Sequence, residues 1–187
     1  MIYIIRHGKT DLNGRHVLQG RSDFPLNEEG ILEAKKAKEK LKGIRFSFVF
    51  SSPLKRAIET AKIIVSKCPV TIDERLIEMD YGPYEGSDLK NPNEELLRFF
   101  RDFINEPSPE GMEPLNSVVD RTGAFLEEIR DLSGNILIST HAIAMKGILE
   151  YLTPDLKGSY WDKYIGNCAI YVTENEDGVF TIPREID

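Results

Sequence analysis

The chain has 187 residues, of which 41% are hydrophobic and 29% charged, which suits one soluble domain with a sizeable core. Its formal net charge of −7 argues against a nucleic-acid or anionic-membrane partner, because it implies no broad basic face. No stretch approaches the roughly 20 apolar residues of a membrane span. The N-terminus also lacks the features of a signal peptide, so we expect a cytoplasmic protein.

The two cysteines, Cys68 and Cys168, lie far apart and belong to no CxxC or CxxH pattern. We interpret both as reduced core thiols. A structural zinc site needs four ligands, and the two cysteines and three histidines have no ligand spacing. The sequence therefore predicts neither a bound metal nor a cofactor.

The first half of the chain alternates strand and helix patterns. Residues 1–7, MIYIIRH, are mostly apolar and β-branched, which predicts a central strand buried on both faces. Residues 27–43 have an apolar side and predict an amphipathic helix closed by Gly43. FSFVFSS, residues 46–52, predicts a second strand. Ser52 is then expected to be the N-cap of a helix that starts at Pro53.

The second half continues this alternation. VTID and NILIST predict strands, and DYGPYEG predicts a loop. Helices are predicted over residues 91–105, 115–132 and 141–152, and NCAIYVTE and VFTIP predict a late hairpin. The order indicates an α/β protein, a three-layer α/β/α sandwich around a mostly parallel sheet. We expect one domain over residues 1–187, with a lid-like insertion at about residues 81–115.

Candidate functional side chains follow three of the predicted strands. Arg6 and His7 end the first strand, Arg56 follows the second, and His141 follows NILIST. In a parallel sheet, functional groups collect in the crevice at the carboxyl ends of the strands. If the first strand and NILIST are neighbours, both histidines face the same crevice.

Two histidines and two arginines suit phosphoryl transfer. A neutral imidazole is a nucleophile whose phosphorus adduct is labile enough for turnover. Guanidinium groups bind phosphate oxygens through paired donors, and a protonated second imidazole would add further donors. The sequence therefore predicts a phosphoryl-transfer site that needs no metal.

Several segments resemble the histidine phosphatase superfamily, also called the phosphoglycerate mutase-like family, and they span nearly the whole chain. RHGKTDLN, residues 6–13, looks like the family signature. The other matching segments follow in the family's order: LQGRSDFPLNEEG (18–30), SSPLKRAIETA (51–61), LIEMDYGPYEG (76–86) and ISTHAIAMKGIL (138–149). The resemblance implies a phosphoglycerate mutase-like fold and favours the small phosphatase branch.

The resemblance also implies a role for each matching residue. His7 would be the phosphorylated nucleophile, and Glu78 would give a proton to the leaving oxygen. The phosphoryl group would be bound by Arg6, Arg56 and His141. An alkoxide leaving group needs a proton, which a carboxyl can supply.

Further residues are implied at the edge of the phosphate site. Asn13 matches a side chain near the phosphate, and Gly20 and Ala142 match positions whose backbone N–H faces phosphate oxygens. Ala142 stands where the family often has Gly. Arg21 follows Gly20, and it either contacts the substrate or is a solvated surface charge.

The leading hypothesis is a phosphomonoesterase acting on a small phosphorylated metabolite. The alternative is a cofactor-dependent phosphoglycerate mutase, which 2,3-bisphosphoglycerate would prime. Family mutases carry a longer basic insertion before the second histidine, whereas here Arg98, Arg101 and Arg121 form no dense cluster. A binding protein on this fold would have lost one of the core residues, and all are present. The late hairpin offers an edge strand for a homodimer.

Overall fold

The computed structural model describes residues 1–156, 158–176 and 178–186. Its strands are β1 (Ile2–Arg6), β2 (Phe46–Ser51), β3 (Thr71–Ile72), β4 (Asn135–Thr140), β5 (Ile170–Thr173), β6 (Asn175–Glu176), β7 (Val179–Phe180) and β8 (Arg184–Ile186). Its helices are α1 (Asp11–Gly14), α2 (Glu28–Lys40), α3 (Lys55–Ile64), α4 (Glu94–Arg101), α5 (Leu115–Ile129) and α6 (Ala142–Leu152). Single 3-10 turns cover Glu74–Leu76, Gly82–Tyr84 and Pro154–Leu156.

The middle layer is a six-stranded sheet in the order β3-β2-β4-β1-β5-β8. The pairs β1–β4, β2–β4 and β2–β3 are parallel, whereas β5 is antiparallel to both β1 and β8. The α/β class and the mostly parallel sheet are therefore confirmed. Within the described residues, every helix falls short of the length and apolarity needed to cross a membrane.

Strand β1 lies at the centre because its alternate side chains are buried on opposite faces. Ile2 and Ile4 pack with α5 and α6 in one apolar cluster, which includes Phe125. Tyr3 and Ile5 pack with α2 and α3 in a second cluster on the other face. Because both faces of β1 are covered, the strand is fixed in position, and so is the start of the segment that follows it.

A third apolar cluster lies beneath residues 81–115. Tyr81 and Phe99 belong to it, and they pack with Val118 of α5, Ile143 of α6 and Trp161. Contacts of this kind hold the segment against α5 and against the first turn of α6, which lies next to the candidate site.

Two local predictions were wrong, and a third was confirmed only in part. Ser52 is not the N-cap of α3, which begins at Lys55 after Leu54. The helix expected over residues 91–105 is confined to Glu94–Arg101. The late hairpin is present but short: β6 and β7 pair with each other, and the Thr181 N–H donates to the Glu174 carbonyl at 2.8 Å. Most of NCAIYVTE instead forms β5, which pairs with β1 and β8. For Ser52 and for the late strands, tertiary contacts outweighed the local pattern, whereas the start of α4 is set locally by its cap, Asn93. Asp177, in the expected hairpin turn, lies outside the described residues.

Gly8 follows His7 at a close approach between two backbones. A methyl group at Gly8 would lie 2.5 Å from the Gly30 carbonyl oxygen in α2. We therefore expect Gly8→Ala to lower the free energy of unfolding by roughly 1–3 kcal/mol, as overpacking does, and to displace His7. Gly14→Ala is the matched control, because a methyl group there meets nothing within 4 Å. Urea denaturation of both variants checks this, and equal stabilities would contradict it.

Candidate active site

The strand register brings the two histidines together. Arg6 of β1 lies beside Thr140 of β4 in the parallel pair, so the next residues, His7 and His141, are neighbours at the carboxyl edge of the sheet. The His7 N–H donates to the Thr140 carbonyl at 2.9 Å, and the imidazole ring centroids are 5.1 Å apart. The two histidines are therefore neighbours at the strand ends, as the strand order required.

The His7 imidazole is buried and has a defined orientation. Its Nδ1 lies 2.7 Å from the Gly8 carbonyl oxygen, which accepts and therefore places the ring proton on Nδ1. Nε2 then carries the lone pair and accepts from Arg56 Nε at 3.2 Å. The backbone carbonyl of His7 is itself held by Asn167 Nδ2 at 3.0 Å. His7 thus presents Nε2 as its nucleophilic atom.

Arg56 lies fully buried behind the two imidazoles. Its Nε–H is shared between His7 Nε2 and His141 Nδ1, each at 3.2 Å. Nη1 donates to the Ser22 carbonyl at 2.7 Å, and Nη2 donates to the Gly20 carbonyl at 2.6 Å. Burial lowers the pKa of Arg56 to about 10, so it remains a cation at neutral pH.

Both ring nitrogens of His141 are engaged. Nδ1 accepts from Arg56, and Nε2 lies 2.6 Å from the Ser52 hydroxyl oxygen. Because Nδ1 accepts, the proton lies on Nε2 and is donated to Ser52. Ser52 was expected to cap α3, and it instead fixes the tautomer and ring plane of His141.

Arg6 has a buried donor with no acceptor. Its Nη1 donates to the Ile165 carbonyl at 2.5 Å, whereas its buried Nε has no partner among the described residues. An unsatisfied buried N–H is costly. An anion at this position would remove that cost.

Glu78 holds the first turn of α6. One carboxylate oxygen accepts from the Ala144 N–H at 2.9 Å, and the other accepts from the Ile143 N–H at 3.2 Å. The side chain is 3% exposed. These contacts place the carboxyl group at the N-terminus of α6 next to Ala142, on the wall of the same cavity as His7.

A cavity of about 270 Å³ opens onto these groups. Five of the expected site residues line it: Arg6, His7, Asn13, Glu78 and Ala142. Arg56 and His141 lie behind His7 and do not line the cavity. Within residues 1–156, 158–176 and 178–186, no cluster of His, Cys, Asp and Glu is arranged to hold a metal ion.

Gly20 and Arg21 are placed differently from their neighbours in the motif. The Gly20 N–H donates to both carboxylate oxygens of Glu85 at 3.0 Å, so it does not face the cavity. Arg21 pairs with Asp80 at 3.1 Å and with Glu113 at 3.4 Å. Arg21 thus links three loops through its ion pairs, and it does not line the cavity.

Burial and positive neighbours keep both imidazoles neutral. The pKa of His7 lies well below its ordinary value because of burial first, and then because of the charges of Arg56 and Arg6. The pKa of His141 is lowered by burial and by Arg56 in the same way. A neutral His7 keeps its nucleophilic lone pair into the acidic range.

We expect this burial to make stability depend on pH. The pKa values of both histidines in the folded state lie below the ordinary 6.5. Their contribution to the free energy of unfolding is therefore fully present above pH 6.5 and is lost as the pH falls, because the unfolded chain then binds protons that the folded protein does not. Each histidine should cost up to about 1.4 kcal/mol per pH unit below that point. The free energy of unfolding, measured by urea denaturation from pH 7 to pH 5, should therefore fall less steeply for the double variant His7→Asn/His141→Asn than for the wild type. Parallel slopes would contradict the expectation.

Some residues that shape the site were not found from the sequence. Ser52 was assigned to the wrong contact, and Lys146 was not singled out at all. Thr60 accepts from the Gly8 N–H at 3.0 Å and donates to the Arg56 carbonyl at 2.7 Å, so it joins the strand end to α3. Its place four residues after Arg56 was a signal, because residues i and i+4 share a helix face.

Two buried imidazoles, two guanidinium groups and a carboxyl thus lie together near the strand ends, in the arrangement that the sequence predicted. The family model of the histidine phosphatase superfamily (branch 1) matches residues 2–186. The chain belongs to this superfamily.

Relatives carry both mutase and phosphatase names. The "probable phosphoglycerate mutase GpmB" of Escherichia coli is 33% identical over 152 residues, which cover 77% of this chain and 70% of that protein. The phosphoglycerate mutase of Bacillus anthracis superposes with a TM-score of 0.81 at 28% identity, over 97% of this chain and 90% of that one. A phosphoserine phosphatase of Entamoeba histolytica shares the fold, with a TM-score of 0.85 at 24% identity over 100% and 96% of the two chains.

Proposed function

We propose that this protein hydrolyses a small phosphomonoester through a phosphohistidine at His7. The observation that carries the proposal is the state of His7 on the cavity wall. Its imidazole is neutral, its Nδ1 is bound to the Gly8 carbonyl, and its Nε2 lies beside the Arg56 guanidinium. The unpartnered Nε of Arg6 supplies a further donor for a phosphoryl oxygen.

In the first step, the Arg56 Nε–H shifts from His7 Nε2 to a phosphoryl oxygen, and the freed lone pair of Nε2 forms a bond to phosphorus as the ester P–O bond breaks. The leaving oxygen takes its proton from the carboxyl group of Glu78. Arg6 and Arg56 balance the charge that develops on the phosphoryl oxygens, and His141 completes this group of donors once it turns from Ser52.

In the second step, the Glu78 carboxylate takes a proton from water. The water oxygen bonds to phosphorus while the P–N bond breaks, and its electron pair returns to Nε2. The products are the alcohol and orthophosphate. One carboxyl group thus acts first as acid and then as base.

The second candidate is a phosphoglycerate mutase, which the names of the relatives from Escherichia coli and Bacillus anthracis favour. A mutase must hold the glycerate while the phosphoryl group returns to it. Arg98 and Arg101 do not line the cavity, and Arg121 is bound to Glu113 and to the Arg75 carbonyl. These three arginines are therefore not placed to hold the glycerate, and on this point hydrolysis is favoured over transfer.

One assay separates the two candidates. The protein is incubated with 3-phosphoglycerate, with and without 2,3-bisphosphoglycerate, and with p-nitrophenyl phosphate in parallel. We expect orthophosphate from both substrates and no 2-phosphoglycerate. Interconversion of the two phosphoglycerates, stimulated by the bisphosphate, would overturn the hydrolase proposal in favour of the mutase.

A further inference from the structure

A buried ammonium group lies in the cavity wall, and the proposed reaction does not use it. Lys146 of α6 is 8% exposed, and it lines the same cavity as Arg6 and His7. Lysine is rarely buried without a partner for its charge. Its presence here therefore calls for an explanation beyond folding.

The contacts of Lys146 leave part of its donor capacity unused. Its Nζ donates to the Trp161 carbonyl and lies 4.9 Å from the centroid of the Phe103 ring. An ammonium group has three N–H donors, and within the described part of the chain the Trp161 carbonyl is its one hydrogen-bond acceptor. No carboxylate of the described residues lies within ion-pair distance of it. Burial lowers the pKa of Lys146 to about 8, so it is still mainly charged at pH 7.

The position of Lys146 along α6 relates it to the reacting end of the cavity. Ala142 and Lys146 are four residues apart in the helix, so they share a face and lie about 6 Å apart, one turn along the axis. The first turn of the same helix is bound to Glu78. The backbone of Lys146 therefore lies within about one helical turn of the N–H groups that bind Glu78.

The lining and the volume of the cavity indicate which kind of ligand it can hold. Apart from its few charged groups, the cavity lining is largely apolar, and Phe100, Phe103 and Ile165 belong to it. A cavity of about 270 Å³ lies at the small end of ligand sites. A short molecule with one anionic group at each end fits such a lining better than a polyhydroxylated one.

We infer that Lys146 binds a second anionic group, a carboxylate or a phosphate, on the leaving part of the substrate. The residue would thereby select small phosphorylated acids or bisphosphates over neutral phosphomonoesters. This inference rests on the proposed function for the position of the phosphoryl group. It adds the residue that sets the substrate class.

The test compares three-carbon substrates in kcat/KM: 3-phosphoglycerate, 1,3-propanediol bisphosphate and glycerol 3-phosphate. The first two carry a second anion, and the third does not. We expect Lys146→Met to lower kcat/KM at least about 10-fold for one or both anionic substrates, the loss expected when a charged hydrogen bond is removed. Glycerol 3-phosphate should change less than about 3-fold. The anionic substrate whose kcat/KM falls most identifies the group, carboxylate or phosphate, that Lys146 binds.

Two further variants separate charge from structure. Lys146→Gln keeps an N–H for the Trp161 carbonyl but has no charge, and it should show the same selective loss as Lys146→Met. Lys163 is exposed and also lines the cavity, so Lys163→Met removes a nearby charge at its rim and should leave the preference in place. An equal fall for all three substrates, or an equal loss in Lys163→Met, would overturn the inference.

A binding measurement keeps this inference separate from the proposed function. Calorimetry of 3-phosphoglycerate, 1,3-propanediol bisphosphate and glycerol 3-phosphate with the full-length His7→Asn protein, with and without Lys146→Met, needs no turnover. The inference is supported if Lys146→Met raises the Kd at least about 10-fold for one or both anionic ligands and not for glycerol 3-phosphate. This holds even if the wild type hydrolyses no p-nitrophenyl phosphate and the proposed function is wrong. An unchanged Kd for both overturns the inference, even if that hydrolysis is normal.

Discussion

His7→Asn is expected to lower kcat for p-nitrophenyl phosphate by more than about 10⁴-fold, the scale of losing a covalent nucleophile. The reason is that His7 Nε2 is the atom that bonds to phosphorus in the proposed reaction. Asn retains polar atoms of similar reach but has no nucleophilic imidazole nitrogen. Steady-state release of p-nitrophenol measures the effect.

His16→Asn is the matched control for this variant. His16 is exposed and has a φ of 58°, a conformation that Asn tolerates. Its activity should stay within a factor of about 2, since surface changes away from a site have small effects. Turnover by His7→Asn at more than a tenth of the wild-type rate would show that another group attacks phosphorus.

Arg56→Lys is expected to lower kcat/KM by about 10²–10³-fold, comparable with losing a donor to a developing oxyanion. Arg56 donates in several directions at once, to two imidazoles and two carbonyls, through a planar fork. A lysine ammonium keeps the charge but cannot reproduce that fork. The loss should therefore appear although the net charge is unchanged.

Arg45→Lys provides the same chemical change at an exposed residue just before β2, at the opposite end of the sheet. Its kcat/KM should equal that of the wild type. Thermal shift with orthophosphate gives a second measurement, in which Arg56→Lys should lose the stabilisation that the wild type and Arg45→Lys retain. Full phosphate binding and activity in Arg56→Lys would contradict the role assigned to the guanidinium.

The core of the candidate site was predictable because the chain places its chemistry at strand ends. An apolar run that stops at Arg6 and His7, and another that stops before His141, fix both positions once the strands pair. Parallel pairing then aligns the two ends without any knowledge of side-chain contacts. The central strands followed from the same apolar runs.

Other contacts depend on parts of the chain that meet only in the folded protein. Ser52 carries a local helix-start signal, yet its hydroxyl lies against His141, which is distant in sequence. The Gly20 N–H is taken by Glu85 from another loop. Lys146 appears as an ordinary helix lysine until the segment around Trp161 covers it. Sequence periodicity carries no information on such contacts.

The central claim is that a phosphoryl group passes through His7, and a quench experiment tests it most directly. The wild type is mixed with phosphate-labelled substrate, stopped in alkali within the first turnovers, and digested for mass spectrometry. We predict acid-labile, alkali-stable phosphate on the peptide that contains His7, and none in His7→Asn. Turnover with no phosphoryl group on the protein, or with the group on a different residue, would contradict the account.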